Sequence, residues 1–295
     1  MRAIDVDLRR TAAIAGWLAN PFRRTSVAGI YDAIATDAIS ESGLYLNLGY
    51  WRDADTIDDA CTALVHLIGE RAGLGPGDDV VDVGFGFGDQ DIYWARTFAP
   101  RRITGLNITR SQVDEARRRV AEAGLDGQVD LRAGSATDMP LGSDSADKVL
   151  ALECAFHFDT REAFLREAAR VLRPGGRIVL GDIIPARPSP NPLRRAAQRA
   201  GWAATARVWN IPRANADSRR GYAMKLRAAG FTDIRIESIR DHVFTPLHRY
   251  LTADPDRMHR YHPLLRLPFH AARRADPERL FSGLDYVVVS AQHSA

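Results

Sequence analysis

Short apolar runs alternate with amphipathic stretches along most of this chain. A short apolar run that is bounded by glycine, proline or polar residues predicts a buried strand. Such runs occur at residues 80–83, 103–106, 129–131, 149–152, 177–182, 233–236 and 286–289. Apolar residues at helical spacing lie between them, at about 56–71, 110–123 and 161–172. Because strands and helices alternate at this pace, the pattern predicts an α/β fold with a doubly wound parallel sheet that the two late runs close.

Two longer stretches interrupt this alternation, at roughly residues 184–215 and 240–283. Both are helical in pattern and contain proline, and we expect them to form caps that build a substrate pocket over the carboxyl ends of the strands. Residues 1–50 read as helices followed by a loop. The predicted organisation is a helical lid over residues 1–55 and a ligand-binding domain over residues 56–295 that carries both caps.

The clearest chemical signal follows the first strand, from Val80 to Gln90, which reads VVDVGFGFGDQ. Glycines let a backbone turn sharply and approach a ligand more closely than a residue with a Cβ atom. The loop opens onto a predicted helix, whose free N–H groups favour an anionic group. A small ligand with an anionic part is therefore expected at the carboxyl end of the first strand.

The spacing of the glycines selects among ligands. A dinucleotide fingerprint reads Gly-x-Gly-x-x-Gly, with an acid at the end of the next strand. Here Gly84, Gly86 and Gly88 alternate with other residues, Asp82 precedes them, and Asn107 ends the next strand. This combination resembles motif I of the class I S-adenosylmethionine-dependent methyltransferases. The resemblance implies a seven-stranded Rossmann-like sheet with an antiparallel edge, and S-adenosylmethionine as the cofactor.

The resemblance also assigns contacts to the ribose of the cofactor. An acid usually accepts the ribose hydroxyls at the end of the second strand, and Asn107 stands in that place. The segment is similar to that of mycolic-acid and related small-molecule methyltransferases, in which a neutral polar residue and a glutamine five positions later hold the ribose. Asn107 and Gln112 match these positions, with Ile108 beside them. An amide both donates and accepts, so this substitution remains chemically sound.

The adenine contacts are expected after the third strand, at Ser135 and Ala136. The family usually has an acid where Ser135 stands, so either Ser135 suffices or Asp138 reaches round. Gln90 is expected to face the methionine part of the cofactor. Glu153, directly after the fourth strand, is expected to support the methionine part or catalysis.

An aromatic group follows the N-terminal helices: Tyr45, Tyr50 and Trp51. These residues resemble the segment that closes over the cofactor in relatives with a lid. The alternative is that the three rings form a hydrophobic staple that fixes the N-terminal helices to the core.

The segment LECAFHF, residues 152–158, is expected beside the transferable methyl group. His157 lies in it, and its near-neutral titration suits a general base. Asp182 ends the neighbouring strand and is expected to orient the imidazole. A histidine and an aspartate at these positions resemble the pair in sugar O-methyltransferases of natural-product pathways. We therefore predict methyl transfer to a hydroxyl of a natural product, sugar or lipid precursor. The alternative role of His157 is backbone packing or contact with the cofactor.

Two other functions stay open. One is carbon methylation of an alkene such as a prenyl diphosphate, with Phe156, Trp209 and Tyr222 around a carbocation and Glu153 as the base. The arginine-rich first cap would then hold the diphosphate. The other is a non-catalytic module that keeps the methyltransferase fold for binding, since Asn107 and Ser135 depart from the family pattern.

Composition narrows the choice of partners and compartment. The chain of 295 residues has a net charge of +3 that is spread along it, which does not favour nucleic-acid binding. Its two cysteines lie far apart and fit a reducing cytoplasm. No segment has membrane-spanning length, although the arginine-rich cap leaves contact with a membrane surface open. His259, His262 and His270 lack companion acids, so no metal site is predicted. The resemblance to lid-bearing relatives suggests a homodimer.

Overall fold

A seven-stranded sheet forms the centre of the molecule. The computed structural model describes residues 40, 42–254 and 273–294. The strands are β1 (Asp79–Val83), β2 (Arg102–Asn107), β3 (Val129–Ala133), β4 (Ala146–Leu152), β5 (Leu172–Pro185), β6 (Phe231–Ser238) and β7 (Leu284–His293). Their order is β3-β2-β1-β4-β5-β7-β6. The first five strands are parallel, and β7 runs antiparallel to both β5 and β6. The predicted doubly wound sheet with an antiparallel edge is confirmed.

Helices cover both faces of this sheet. They are α1 (Ile57–Ala72), α2 (Asp89–Thr97), α3 (Arg110–Glu122), α4 (Arg161–Val171), α5 (Pro192–Val208), α6 (Arg219–Ala228), α7 (Phe244–Ala253) and α8 (Pro277–Leu280). Local sequence explains their ends. The hydroxyl of Thr56 caps the start of α1 by accepting from the backbone N–H of Asp59, and Gly73 ends the helix with a left-handed φ of 62°.

The central strands are buried on both faces, as their continuous apolar sequences require. Successive side chains of β1 point to opposite sides. Val80 packs into a core that includes residues of α1, α2 and α3. Val81 and Val83 pack into a second core that includes residues of α4 and α6. The sheet therefore holds the loops at its carboxyl edge between two packed layers.

The first cap contains α5, as its pattern predicts, and the second cap begins with α7. Residues 255–272 of the second cap and residues 1–39 and 41 of the predicted lid lie outside the described residues. The described end of the lid, residues 42–51, is a loop without helix or strand. The boundary between lid and domain near residue 55 stays a prediction.

Candidate active site

The glycine loop is packed against the end of β4. Gly84 has a φ of 75°, and a Cβ atom there would lie 2.6 Å from the Cβ of Cys154. Gly86 has a φ of 58°, and a Cβ atom there would lie 3.1 Å from a methyl group of Leu46. Gly88 begins α2 without a side chain to cap it. The loop is thus a close-fitting backbone cradle that leads to an uncapped helix N-terminus, as predicted.

Two acids lie buried under this cradle. Asp82 is fully buried at the end of β1, and its Oδ2 accepts a hydrogen bond of 2.6 Å from Nε2 of Gln90. Asp91, in the first turn of α2, is also fully buried. Burial raises the pKa of both carboxyl groups. Sequence reasoning missed Asp91, although an acid directly after Gln90 in the first turn of the helix was visible.

The predicted ribose residues lie together. The Asn107 amide donates to Oε1 of Gln112 at 2.9 Å, and its own Oδ1 accepts from the backbone N–H of Thr109 at 3.1 Å. Nε2 of Gln112 is buried and has no hydrogen-bond partner among the described residues. Ile108, next to the pair, is exposed. The pair therefore presents an oriented amide donor that suits a sugar hydroxyl.

The predicted adenine segment forms a tight turn. The hydroxyl of Ser135 accepts from the backbone N–H of Thr137 at 3.2 Å and lies 3.0 Å from the hydroxyl of the same residue. Ala136 is buried, and Asp138 is exposed. Because Ser135 uses its hydroxyl within the turn, both Ser135 and Asp138 stay candidates for the adenine.

The described end of the lid crosses the glycine loop. The backbone N–H of Leu44 donates to Oδ1 of Asp89 at 3.2 Å, and that of Leu48 donates to Oε1 of Glu153 at 2.8 Å. Leu46 lies between these anchors, against Gly86. The lid backbone therefore covers the cradle at both ends.

The three aromatic side chains of the lid point to other parts of the molecule. Trp51 is 8% exposed and joins a core cluster with α1, and its ring centre lies 4.9 Å from that of Tyr250 of α7, with the two ring planes tilted by 44°. The hydroxyl of Tyr45 lies 3.5 Å from that of Thr62, and burial raises the pKa of Tyr45 to about 12. Tyr50 meets the ring of His242 edge-on. These contacts fix the described end of the lid to the rest of the molecule, and both interpretations of the three rings stay predictions.

Glu153 links the lid to the sheet. Its Oε1 accepts from Leu48 and from the hydroxyl of Tyr286, both at 2.8 Å, and its backbone has a φ of 53°. Burial raises the pKa of Glu153 to about 7, and the two hydrogen bonds oppose this rise. The carboxyl group therefore titrates near neutrality.

His157 ends a short 3₁₀ turn, Ala155–His157, directly after β4. It is 8% exposed. The centre of its ring lies 4.2 Å from the ring centre of Phe156 and 6.4 Å from the ring centre of Trp209. Burial lowers the pKa of His157 to about 4, and a hydrogen bond with the backbone of Trp209 opposes this effect. The imidazole is therefore neutral at neutral pH, which is the form that accepts a proton.

Asp182, which is predicted to orient the imidazole of His157, bonds to groups on other elements. Its Oδ2 accepts from Nε of Arg161 at 2.9 Å and from the hydroxyl of Tyr222 at 2.8 Å, and its Oδ1 accepts from the backbone N–H of Ile183. Asp182, Arg161 and Tyr222 are all fully buried. A buried carboxylate needs a cation, and Arg161 supplies it. Tyr222, which is predicted to contact substrate, is instead buried beside this ion pair. The guanidinium of Arg161 lies 4.6 Å from the centre of its ring.

The same buried group supports the turn that carries His157. Nδ2 of Asn215 donates to the backbone carbonyls of Phe156 and Phe158, at 3.0 and 2.7 Å. Its Oδ1 accepts from the backbone N–H of Arg161 at 2.8 Å. Asn215 and Arg161 gave no signal in the sequence, because only the tertiary fold brings the first cap against the end of β4.

Arginines in the first cap and directly after it have different surroundings. Helix α5 has no buried residue, and its exposed surface carries several arginines. Arg219, after this helix, instead makes an ion pair of 2.6 Å with Asp285 of β7. An anion-binding role for the cap stays a prediction.

Fold and cradle together define a class of protein, an α/β enzyme with a nucleoside site at the carboxyl edge of β1 and β2. A methyltransferase domain family matches residues 81–180. Erythromycin 3''-O-methyltransferase of Saccharopolyspora erythraea is 39% identical over 222 residues, covering 73% of this chain and 71% of that protein. The chain belongs to the class I S-adenosylmethionine-dependent methyltransferases that act on small molecules, and S-adenosylmethionine is its cofactor.

Two further comparisons agree. The 27-O-demethylrifamycin SV methyltransferase of Amycolatopsis mediterranei is 38% identical over 170 residues, covering 57% of this chain and 62% of that protein. The structure is also similar to that of the mycolic acid cyclopropane synthase CmaA1, which was solved with S-adenosylhomocysteine. The TM-score is 0.72 at 17% identity, and the match covers 87% of this chain and 93% of that chain. The second likeness concerns the fold alone.

The residues present fit this cofactor. Nε2 of Gln112, Oδ1 of Asp82 and both carboxyl oxygens of Asp91 are buried and accept or donate no hydrogen bond within the described residues. An amide donor suits a ribose hydroxyl, and buried acids suit a cationic amino-acid group. Asn107 and Gln112 would hold the ribose, and Gln90 would hold the methionine part.

Metal-binding clusters and membrane-spanning helices are both absent from the part of the chain that the structure describes. No cluster of three or more histidine, cysteine, aspartate or glutamate side chains able to bind a metal ion occurs within residues 42–254 or 273–294. His259, His262 and His270 lie outside the described residues. Among the helices that the structure describes, none is both long and apolar enough to cross a bilayer.

Proposed function

We propose that this enzyme methylates a hydroxyl group of a small natural product, with His157 as the general base. One observation carries the proposal: a buried, neutral imidazole stands at the end of β4, next to the strand that leads into the glycine loop. The names of the two curated relatives, which denote O-methylation in erythromycin and rifamycin, support a hydroxyl acceptor of this kind.

The cofactor supplies the methyl group when it is bound. The residues of the chain must then align the hydroxyl, exclude water and accept its proton. A hydrogen bond with the backbone of Trp209 opposes the effect of burial on the pKa of His157 and ties its ring to the end of α5. In this proposal the first cap helps to orient the base.

The buried position of His157 has a consequence for pH dependence. Because the pKa of the imidazole is about 4, the base form is already present throughout the neutral range. We expect kcat/KM to be flat from about pH 6 upward as far as His157 is concerned, and to fall only as the pH approaches the lowered pKa.

Substitution of His157 tests the proposal. The change His157→Ala should lower kcat by about two to four powers of ten at neutral pH, because the hydroxyl proton loses its acceptor. Transfer of radiolabelled methyl to a panel of hydroxylated macrolides and glycosides measures kcat, and calorimetry with S-adenosylmethionine checks that the cofactor still binds. A loss below tenfold with intact cofactor binding would exclude the base role.

Carbon methylation is the second candidate, because Glu153 has a pKa near 7 and suits a base at neutral pH. Its carboxyl oxygen is already held by Leu48 and Tyr286, and Tyr222 is buried away from any substrate. These contacts favour O-methylation. If the variant Glu153→Gln loses methyl transfer while the variant His157→Ala retains it, a carbon acceptor is favoured.

A further inference from the structure

Two fully buried carboxyl groups lie in contact beneath the glycine loop. Asp82 is the last residue but one of β1 and Asp91 belongs to the first turn of α2, so the loop from Gly84 to Gly88 lies between them in sequence. Burial raises the pKa of the Asp91 carboxyl group, and the negative charge of Asp82 lies close enough to raise it further. Gln90 provides a donor to Asp82, at 2.6 Å. Among residues 42–254 and 273–294, Gln90 alone brings a side-chain N–H to the pair.

No cation within the described residues neutralises this pair. Asp89, at the start of α2, faces Asp91, but its carboxylate is held by Arg119, with Nη2 and Oδ1 2.7 Å apart. Cys154 faces Asp82 from the end of β4, and burial raises the pKa of its thiol, which stays uncharged. Arg119 is the positive group of α3 at this place, and Asp89 already uses it.

Two adjacent carboxylates cannot both stay ionised in a buried site without a cation. If both groups are ionised, Oδ1 of Asp82 and both carboxyl oxygens of Asp91 have no hydrogen-bond donor within the described residues. A proton between the two groups removes one negative charge and supplies the missing donor. Burial also raises the pKa of both groups, in the same direction.

We propose that Asp82 and Asp91 share a proton while the cofactor site is empty, and that this proton passes to solvent when the cationic cofactor binds above the loop. The inference rests on the cofactor of the family and is independent of the role of His157. S-adenosylmethionine carries a positive sulfonium that S-adenosylhomocysteine lacks, so the ionised pair binds the methyl donor more tightly. After transfer the sulfur is neutral, and the pair takes a proton back from solvent.

Calorimetry of the full chain tests this proton balance. Each cofactor is titrated separately at pH 7 in buffers with different heats of ionisation, and the dependence of the observed heat on the buffer gives the protons released. We expect S-adenosylmethionine to release more protons than S-adenosylhomocysteine, by up to one. Both ligands carry the same α-amino group, so its own titration cancels in the comparison.

The pH dependence of affinity gives a second readout. If one proton is released, the ratio of the two affinities should change in favour of S-adenosylmethionine by up to about tenfold per pH unit where the pair titrates. Binding measured from pH 6 to 8.5 covers this range. The ratio should level off once the pair is fully ionised.

The change Asp91→Asn supplies a fixed donor in place of the shared proton. In this variant the difference in proton release between the two cofactors should vanish, and the affinity ratio should become independent of pH. Glu237→Gln, on β6 at the far edge of the sheet, is the control, because it removes a carboxylate that pairs with Arg71. The control should behave as the unchanged protein.

Equal proton release by the two cofactors in the unchanged protein would overturn the proposal, and so would an undiminished difference in Asp91→Asn. If that variant does not fold, the comparison in the unchanged protein still decides. If neither cofactor binds at micromolar concentration, both this inference and the proposed function fail. If both bind with equal proton release, only this inference fails.

Discussion

Single glycines show how the cradle depends on the absence of a Cβ atom. Gly84 combines a left-handed backbone with contact against Cys154, whereas Gly124 has a similar φ of 70° but open space where a Cβ would lie. The two positions therefore separate the cost of backbone conformation from the cost of steric overlap.

We expect Gly84→Ala to destabilise the protein more than Gly124→Ala. Both changes cost about 1 kcal/mol for the left-handed backbone, and Gly84→Ala adds about 1–3 kcal/mol because the loop must move off Cys154. Urea unfolding measures the difference, and calorimetry should show weakened S-adenosylmethionine binding in the first variant only. Equal stability of the two variants would contradict the close packing of the loop.

At this scale the sequence predicts what is local. The tight glycine loop and the proximity of Asn107 to Gln112 follow from short segments whose backbone geometry depends on their own residues. The partner of Asp182 was not predictable in this way. Arg161 lies on another element, and a buried arginine pairs with whichever carboxylate the fold brings to it.

Between elements, the turn that carries His157 depends on the first cap. Asn215 bonds to the carbonyls on both sides of His157, and Trp209 at the end of α5 meets the imidazole itself. Asn215 is thus a positioning residue, which acts on the reaction through the geometry of His157.

The change Asn215→Ala should lower kcat by at least about tenfold while S-adenosylmethionine affinity stays within about twofold, since misplacement of a base costs rate and leaves the glycine loop intact. Stability should also fall by about 1–3 kcal/mol, because buried carbonyls lose their donor. Steady-state kinetics with calorimetry separate the two effects.

Asn191→Ala is the matched control for this experiment. Asn191 caps the exposed start of α5 by accepting from the backbone N–H groups of Leu193 and Arg194. Its loss should cost about 1 kcal/mol of stability and leave kcat unchanged. If both variants lose stability and neither loses kcat, Asn215 does not position the base.

The sequence predicts most helix and strand positions. One boundary shows why the ends of these elements are harder to predict. The sequence Arg173-Pro174-Gly175-Gly176 predicts a stop after the helix, and α4 does end at Val171. The stop segment itself belongs to β5, because Leu172 already pairs with Ala146 of β4 before a register shift. A turn signal marks the end of a helix, but pairing with a neighbour decides what the next residues become.

Over the whole molecule, the strand order creates the site. β1 and β4 are neighbours at the centre, and the chain leaves them toward opposite faces, through α2 and α4. This is the switch point at which α/β sheets bind ligands. It brings the glycine loop and the His157 turn together across one crevice, and the lid spans this crevice through bonds at its two sides, to Asp89 and Glu153.

This arrangement predicts where cofactor binding will slow amide exchange. The lid amides of Leu44 and Leu48 donate to side chains that flank the glycine loop, so ordering of the loop should order the lid as well. With saturating S-adenosylmethionine, hydrogen–deuterium exchange should slow in residues 44–51 and 84–90. β6 lies at the far edge of the sheet and should be unchanged. Slower exchange in the loop without any change in the lid would show that the two move independently, and the Glu153–Leu48 bond would then not couple the lid to the cofactor.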